Sequence, residues 1–198
     1  DILVGTQMVA KGHDFSAVTL VGILDADMSL YFSDYRSGER TYQLITQVAG
    51  RSGRADKKGK VVLQTYNPDN EVLRFAINYD YVGFFEREKA VRKSTNFPPY
   101  SLVLRIMVEA DDDKNAMEGL KEVYFRVKEV YERERDKFTF FNKMKCPVKR
   151  IKNKYRYEIL MRIPPDDKRL KDEIYNLALK DKRQGVLTYV EENPSNLY

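Results

Sequence analysis

Cysteine and histidine are nearly absent from this sequence, and so are long apolar runs. Cys146 is the only cysteine among 198 residues, which excludes an internal disulfide and argues against a structural zinc site here. No apolar run approaches the roughly 20 residues that a membrane-spanning helix needs, and the chain does not open on a signal-peptide pattern. These properties predict an intracellular globular protein of one or two domains.

A phosphate-binding loop is also missing. The pattern Gly-x-x-x-x-Gly-Lys-Ser/Thr occurs nowhere, and no Asp-Glu-x-His sequence follows a strand. Such a loop cradles nucleotide phosphates with backbone N–H groups, a lysine and a Mg²⁺-binding hydroxyl. The chain begins at Asp1, without methionine, inside an expected strand. We therefore expect a fragment that supplies one wall of an ATP site and does not hydrolyse ATP by itself.

Two short segments carry the chemistry that is present. Residues 47–54 have the sequence QVAGRSGR, and residues 5–15 have the sequence GTQMVAKGHDF. Arg51 and Arg54 can bind phosphate oxygens bidentately and stay charged, and the adjoining glycines let the backbone approach and turn closely. Taken alone, a turn rich in glycine and arginine is also compatible with a solvated loop between a helix and a strand.

Both segments resemble helicase motifs. Residues 47–54 match Gln-x-x-Gly-Arg-x-x-Arg, motif VI of the DEAD/DExH-type helicases, and residues 5–15 resemble motif V in the form found in PriA-type replication-restart helicases. The resemblance to this family continues through residues 24–27, 36–44, 64–68 and 97–101. Because both motifs occur in the family's order and spacing, they disfavour the solvated-loop interpretation.

The resemblance implies the C-terminal part of an ATP-dependent 3′→5′ DNA helicase that acts in replication restart and primosome assembly at stalled forks. ATP and Mg²⁺ would bind between two RecA-like lobes, with Arg51 and Arg54 as catalytic groups at the γ-phosphate. Gln47 and Gly50 would lie beside the nucleotide. The residues implied to hold the DNA backbone are Thr6, Gln7 and Lys11.

The family also implies partners and a location. The expected partners are forked and single-stranded DNA, single-stranded DNA-binding protein and other primosome proteins. We expect a monomer in the bacterial cytoplasm, associated with the nucleoid, and zinc only in cysteine-rich segments of the full-length protein. A hypothesis from another class stays open: the chain is a non-catalytic DNA- or protein-binding module whose lobe segment is an incomplete remnant.

Residues 1–70 have the pattern of an α/β unit. Buried parallel strands are predicted from near-continuous aliphatic runs at residues 2–4, 18–24 and 60–66. Residues 41–49 predict a helix that runs into the glycine-arginine turn. With the resemblance, this order predicts the C-terminal part of RecA-like helicase lobe 2. Residues 71–99 predict a helical connector that ends at Pro98, since proline disfavours helix in the residue before it.

Residues 100–198 predict a second domain of the α+β class. Apolar alternation predicts strands, and apolar stripes at helical spacing predict two helices, in the order βαββαβ. The predicted elements with clear patterns are strands at residues 101–110, 155–163 and 186–190 and helices at residues 116–131 and 170–177. The aspartates at residues 111–113 offer N-cap carboxylates to the first helix. This order resembles the ribosomal-S10-like domain that ends PriA-type helicases.

One stretch of the second domain concentrates positive charge. From Lys143 to Arg162, eight basic residues accompany a single acidic residue, Glu158. The five that we assign to nucleic acid surround an expected hairpin tip at residues 153–154 and are Lys149, Arg150, Lys152, Lys154 and Arg156. Such cations release counterions from phosphates. Tyr155 and Tyr157 either stack on unpaired bases or, as alternation indicates, pack in the core.

The remaining candidates have weaker signals. His13, the only histidine, either positions phosphate or has a packing role in a turn. Asp25 and Asp27 resemble a metal-binding pair, but we expect them to fix loops or cap a helix at a strand end. We expect Cys146 to be inert. Residues 144–148 depart from the family's pattern, so fine binding detail is not carried over to the second domain.

Overall fold

The structure, a computed structural model, describes residues 2–6, 18–32, 34–50, 59–180, 183–195 and 197. The chain divides into two compact units, residues 1–90 and 91–198. The three-part division predicted with boundaries at residues 70 and 99 stays a prediction. Among the described helices, none is both long enough and apolar enough to cross a membrane.

The described residues of the first unit form two parallel strands and three helices. Strand β1 (Leu20–Ile23) pairs in parallel with β2 (Lys60–Leu63), as predicted. Between them in sequence lie a 3₁₀ turn (Met28–Tyr31) and helix α1 (Ser37–Ala49). Helix α2 (Glu71–Ile77) follows β2, and α3 (Tyr81–Thr95) begins in this unit. The helix expected before Gly50 is therefore confirmed, and it starts four residues earlier than predicted.

Helices α1 and α2 build the core of the first unit. Tyr42 and Ile45 of α1 pack against Leu73 of α2 and against Phe84 at the start of α3. The rings of Tyr42 and Phe84 stack with centroids 4.4 Å apart. Asn70 begins α2 because its side-chain oxygen accepts the backbone N–H groups of the first turn.

Two predictions for the first unit were wrong. Residues 2–4 do not form a strand, and their side chains are exposed. Strands β1 and β2 are paired but not buried, since Leu20 is 60% exposed and Val62 is 47% exposed. Near-continuous aliphatic runs are typical of parallel strands that are covered on both faces. Here the described residues contribute only two strands to the sheet, which leaves those side chains exposed. The RecA-like lobe stays a prediction.

The second unit confirms the predicted βαββαβ order. Its elements are β3 (Leu102–Ala110), α4 (Asp113–Arg133), β4 (Phe140–Ile151), β5 (Lys154–Ile163), α5 (Lys168–Leu179) and β6 (Val186–Glu192). All pairs in the four-stranded sheet are antiparallel, in the spatial order β4-β5-β3-β6. A 3₁₀ turn (Arg135–Lys137) joins α4 to the edge strand β4.

Both helices of this unit pack on one face of the sheet. Ala116, Val123 and Val127 of α4 join Ile174 of α5 and Ile106 of β3 in one core cluster. The Asp112 carboxylate accepts the Asn115 N–H at 2.8 Å and caps α4, which confirms the N-cap expected within residues 111–113. The central strand β3 is buried along nearly its whole length, so it fixes the position of β5 beside it.

The hairpin of β4 and β5 extends beyond this core. Arg150 pairs with Tyr155, and Ile151 pairs with Lys154. The tip is Lys152 and Asn153, both with positive φ, which is one residue earlier than predicted. Between Lys145 and Arg150 the register shifts. Pro147 lies in this bulge, and an edge strand tolerates proline there because the ladder loses no N–H it needs.

Candidate nucleic-acid interface

The predicted nucleotide side of the first unit is described in part. Gln47 is exposed in the last turn of α1, and Gly50 follows as its C-cap. The φ of Gly50 is −66°, so this glycine does not use the left-handed region. Thr6 is also exposed. The predicted residues that lie outside the described residues are Gln7, Lys11, His13, Arg51 and Arg54.

Asp27 fixes a loop, in agreement with the preferred interpretation of the Asp25 and Asp27 pair. Its side chain is 2% exposed. Oδ2 accepts the backbone N–H of Tyr66 at 2.9 Å and of Asn67 at 3.2 Å. A hydrogen bond from the Thr65 side chain, together with these N–H groups, outweighs burial and lowers the pKa of Asp27. Asp27 therefore holds the segment after β2, while Asp25 is exposed with φ of 49°.

The five predicted DNA-binding residues of the second unit lie together at the end of the β4–β5 hairpin, which we call the basic hairpin (residues 149–156). Arg150 and Lys152 are exposed, and neither has a carboxylate partner among the described residues. An open depression of about 350 Å³ lies beside Lys152. Its lining residues are Glu109, Ile151, Lys152, Lys154 and Arg156.

The other three cations of the basic hairpin are paired. Lys149 Nζ lies 3.0 Å from Asp113 Oδ2, and Lys154 Nζ lies 3.4 Å from Asp111 Oδ1. Arg156 Nε donates to Glu109 Oε1 at 3.0 Å. The surface is therefore less positive than the sequence indicates, because three carboxylates lie against its cations.

The two tyrosines of β5 have packing roles. Tyr157 is 2% exposed and belongs to the core, so the core-side alternative is confirmed for it. Tyr155 is partly buried and packs against the same core. Lys149 Nζ and the Arg150 guanidinium carbon lie 5.4 Å and 5.0 Å from the centre of the Tyr155 ring. The ring of Tyr155 is thus covered by two cations rather than presented to solvent alone.

Cations farther from the tip support the fold. Lys143 Nζ lies 4.1 Å from the centre of the Tyr124 ring on α4. Arg162 donates to the backbone oxygen of Thr95, and its guanidinium carbon lies 4.6 Å from the ring centre of Phe97. Cation–π contacts of this kind contribute about 0.5–1 kcal/mol at exposed sites. Lys143 and Arg162 therefore brace the domain, and we leave them out of the candidate interface.

The face of the sheet that does not carry the helices holds a polar network. Arg105 Nε lies 2.7 Å from Glu191 Oε2, and the Glu158 carboxylate is 3.9 Å from the same guanidinium group. Burial raises the pKa of Glu158 despite Arg105 and Arg156. Burial, followed by the Glu158 carboxylate, raises the pKa of Cys146 to about 12. The buried thiol agrees with the prediction that Cys146 is inert.

The sequence interpretation missed the acidic partners of the basic hairpin. Glu109 lies near the end of β3, Asp111 follows that strand, and Asp113 begins α4. Glu109 pairs directly with Arg156 in the antiparallel register. Their i, i+2, i+4 spacing is no usable signal, because alternate residues share one face only within a strand and these three residues do not belong to one strand. Only the pairing of β3 with β5 shows that these acidic residues lie beside the basic hairpin.

Comparisons with known proteins agree with this architecture. A sequence model of the primosomal protein N C-terminal domain matches residues 93–194, just over half of the chain. The chain is 34% identical to replication restart protein PriA of Bacillus subtilis over 98% of its length, and 34% identical to that of Haemophilus influenzae over 99%. It spans only 24% and 27% of those proteins. A Rickettsia felis relative is 43% identical over 60% of the chain.

The matched region contains most of α3's last turn, the whole four-stranded sheet and both helices packed on it. The basic hairpin and its acidic partners also lie within residues 93–194. The relatives extend the similarity through the first unit, including residues 47–54. The chain therefore belongs to the PriA family of replication restart proteins, and it contains the C-terminal domain of that family.

Proposed function

We propose that this chain is the C-terminal part of an ATP-dependent 3′→5′ DNA helicase that acts in replication restart and primosome assembly at stalled forks. The observation that carries the proposal is the sequence at residues 47–54, within a similarity to PriA proteins that covers nearly the whole chain. The partners would be forked and single-stranded DNA, single-stranded DNA-binding protein and primosome proteins, in the bacterial cytoplasm at the nucleoid. The first unit would then be part of RecA-like lobe 2.

ATP and Mg²⁺ would occupy a site that this chain forms together with the rest of the full-length protein. ATP would supply the phosphoryl group, and Mg²⁺ would neutralise its charge. The exposure of Gln47 at the end of α1 fits a residue that contacts a nucleotide. Arg51 and Arg54 would donate to phosphate oxygens and offset developing negative charge, as an arginine finger does. One cysteine and one histidine argue against a structural zinc site in this chain, because such sites take four cysteine or histidine ligands.

The experiment replaces the arginines in the full-length protein. Arg51→Ala or Arg54→Ala should lower kcat for DNA-stimulated ATP hydrolysis by a factor on the order of 10³ while sparing DNA binding. Arg135→Ala, an exposed arginine without an ion pair among the described residues, is the control and should change neither. An equal loss of DNA affinity would assign the arginines to nucleic acid. If the 198-residue chain alone hydrolysed ATP in response to DNA and lost this activity on Arg54→Ala, the hypothesis that it supplies only one wall of the ATP site would be contradicted.

The basic hairpin supports a second component of this function, which is contact with nucleic-acid phosphates. Arg150 and Lys152 carry it, because they are exposed cations without a carboxylate partner among the described residues. Lys149, Lys154 and Arg156 would contribute less, since each already has an anionic partner. This component would also suit the alternative function, a DNA-binding module without catalysis.

Salt dependence tests this component. Fluorescence anisotropy with a labelled oligonucleotide should give log K that falls linearly with log salt concentration, and replacing Arg150 or Lys152 by alanine should reduce the slope by about 0.7–0.9 each. Arg135→Ala removes a charge elsewhere in the same unit and should leave the slope unchanged. If the chain does not bind even at low salt, the hairpin is instead a solvated face or a protein-docking surface.

A further inference from the structure

Each of the three paired cations of the basic hairpin has a carboxylate of its own, and we call these three carboxylates the acidic ladder (Glu109, Asp111 and Asp113). Its members follow one another at every second residue, and each meets one cation: Arg156, Lys154 and Lys149 in turn. Glu109 is the direct strand partner of Arg156 in the antiparallel register. The strand register therefore sets the Glu109–Arg156 pair, whereas Asp111 follows the end of β3 and Asp113 begins α4.

The rungs of the ladder differ in exposure. In the Glu109–Arg156 pair the side chains are 15% and 16% exposed, and Tyr189 also donates to Glu109 at 3.0 Å. In the Asp111–Lys154 pair they are 84% and 42% exposed. The Asp113–Lys149 pair is intermediate, at 40% and 44%. Exposed ion pairs are weak and are screened by salt. The two exposed pairs, which we call the outer rungs, can therefore be separated by a competing anion, whereas the Glu109–Arg156 pair, the inner rung, is retained.

The ladder affects how phosphate can approach. A carboxylate within 3.0–3.4 Å of a lysine nitrogen occupies N–H groups that could otherwise donate to a phosphate oxygen. Its negative charge also repels a second anion near the same lysine. The Asp111 side chain is largely exposed, and the ion pair with Lys154 is its one polar contact among the described residues. Asp113 also accepts a hydrogen bond from Tyr157.

We propose that the acidic ladder is an intramolecular competitor for nucleic-acid phosphates at the basic hairpin. Arg150 and Lys152 make the first contacts, and Lys149 and Lys154 join only where phosphate displaces Asp113 and Asp111. The ladder thereby weakens binding to any single stretch of backbone and favours ligands that bring several phosphates to the hairpin at once. This inference rests on the hairpin's proposed contact with nucleic acid.

The test removes the outer rungs from the whole 198-residue chain. Asp111→Asn keeps the size of the side chain and removes only its charge, so the domain should fold as before. At low salt, affinity for a fluorescein-labelled single-stranded oligonucleotide should rise about two- to fivefold, as loss of one exposed pair permits. Asp111→Asn with Asp113→Asn should raise it about tenfold and steepen the salt dependence of log K by up to about 0.7 per released lysine.

Two controls separate local competition from a change in net charge. Glu129→Gln makes the same charge change on α4, about 24 Å along the helix from Asp113, at an exposed position without an ion pair among the described residues. It should change affinity far less. In a Lys154→Gln background, Asp111→Asn should bring no gain, because the cation that it releases is absent.

The outcomes distinguish this inference from the function on which it rests. If the unaltered chain binds and Asp111→Asn gains no more than Glu129→Gln at every salt concentration, the acidic ladder does not compete and the inference is overturned alone. If neither the unaltered chain nor the double variant binds at low salt, the hairpin's contact with nucleic acid is overturned and the inference with it. A gain that persists with Lys154→Gln also contradicts the pairing proposed here.

Discussion

The phenolic hydroxyl of Tyr157 donates a 2.7 Å hydrogen bond to Oδ1 of Asp113, whose other oxygen lies 3.0 Å from Lys149 Nζ. One carboxylate at the start of α4 thus joins the buried strand β5 to the basic hairpin. The hydrogen bond from Tyr157, followed by that from Lys149, lowers the pKa of Asp113. Burial, followed by the bond to Asp113, raises the pKa of Tyr157 to about 12.

Replacing Tyr157 by phenylalanine should lower the free energy of unfolding by about 1 kcal/mol, because a partly buried hydrogen bond to a carboxylate is lost while the ring is kept. The pH dependence identifies the bond. An unfolded tyrosine deprotonates near pH 10, so the contribution of Tyr157 is complete below about pH 10 and is lost as pH rises to about 12. Thermal unfolding should show a smaller decline in Tm over this range for Tyr157→Phe. Identical declines would contradict the assignment.

Replacing Asp27 tests whether this residue holds a loop in place or binds a metal ion. Asp27→Asn should lower the free energy of unfolding by about 1–2 kcal/mol, because two backbone N–H groups lose a charged acceptor. Since the pKa of Asp27 is lowered, its contribution is present above about pH 4 and is lost as pH falls further. Denaturant unfolding monitored by circular dichroism measures both effects.

Asp25→Asn is the matched control for Asp27, because Asp25 is exposed and asparagine tolerates its positive φ. It should change the free energy of unfolding by less than about 0.5 kcal/mol. Adding Mg²⁺ or Ca²⁺ should leave the unfolding transitions of both variants and of the unaltered chain where they are. A metal-induced rise in Tm that either substitution removes would instead show that the two aspartates bind a cation.

Sequence periodicity was sufficient to predict the order of elements in the second unit, but it was insufficient to predict which strands of the first unit are buried. The apolar stripe through Ala116, Val123 and Val127 and the alternation from Tyr157 to Ile163 describe elements whose partners all lie within the same domain. Such patterns report burial directly. Leu20 and Val62 have the same aliphatic character, yet they are exposed, because a strand is buried only when neighbouring strands and helices cover it.

The candidate interface shows the same limit. The density of lysine and arginine around Lys152 and Asn153 is visible in the sequence, and so is the hairpin tip to within one residue. Which of those cations are neutralised is not visible, since Lys154 and Asp111 meet only after β3 and β5 pair. The bulge at Pro147 likewise depends on where β4 runs as an edge strand.

Cys146 should react slowly with thiol reagents in the folded protein. Its pKa of about 12 reduces the thiolate fraction at pH 8 by a factor on the order of 10³ relative to an exposed cysteine, and burial restricts access further. Because it is the only cysteine, labelling with a chromogenic disulfide reagent reports this site alone. The same protein in denaturant is the control and should react at once. Fast labelling under native conditions would mean that the bulge at residues 146–149 opens readily.

Tyr155 packs against the core, and replacing it tests this role against stacking on an unpaired base. Because the ring packs against the core beneath Lys149 and Arg150, Tyr155→Leu should lower the free energy of unfolding by about 1–2 kcal/mol. Single-stranded and duplex DNA should be affected alike in anisotropy measurements on the folded variant. Tyr155→Phe keeps the ring and should match the unaltered chain in stability and binding. A selective loss of single-strand affinity in Tyr155→Leu, with Tm unchanged, would show instead that the ring stacks on unpaired bases.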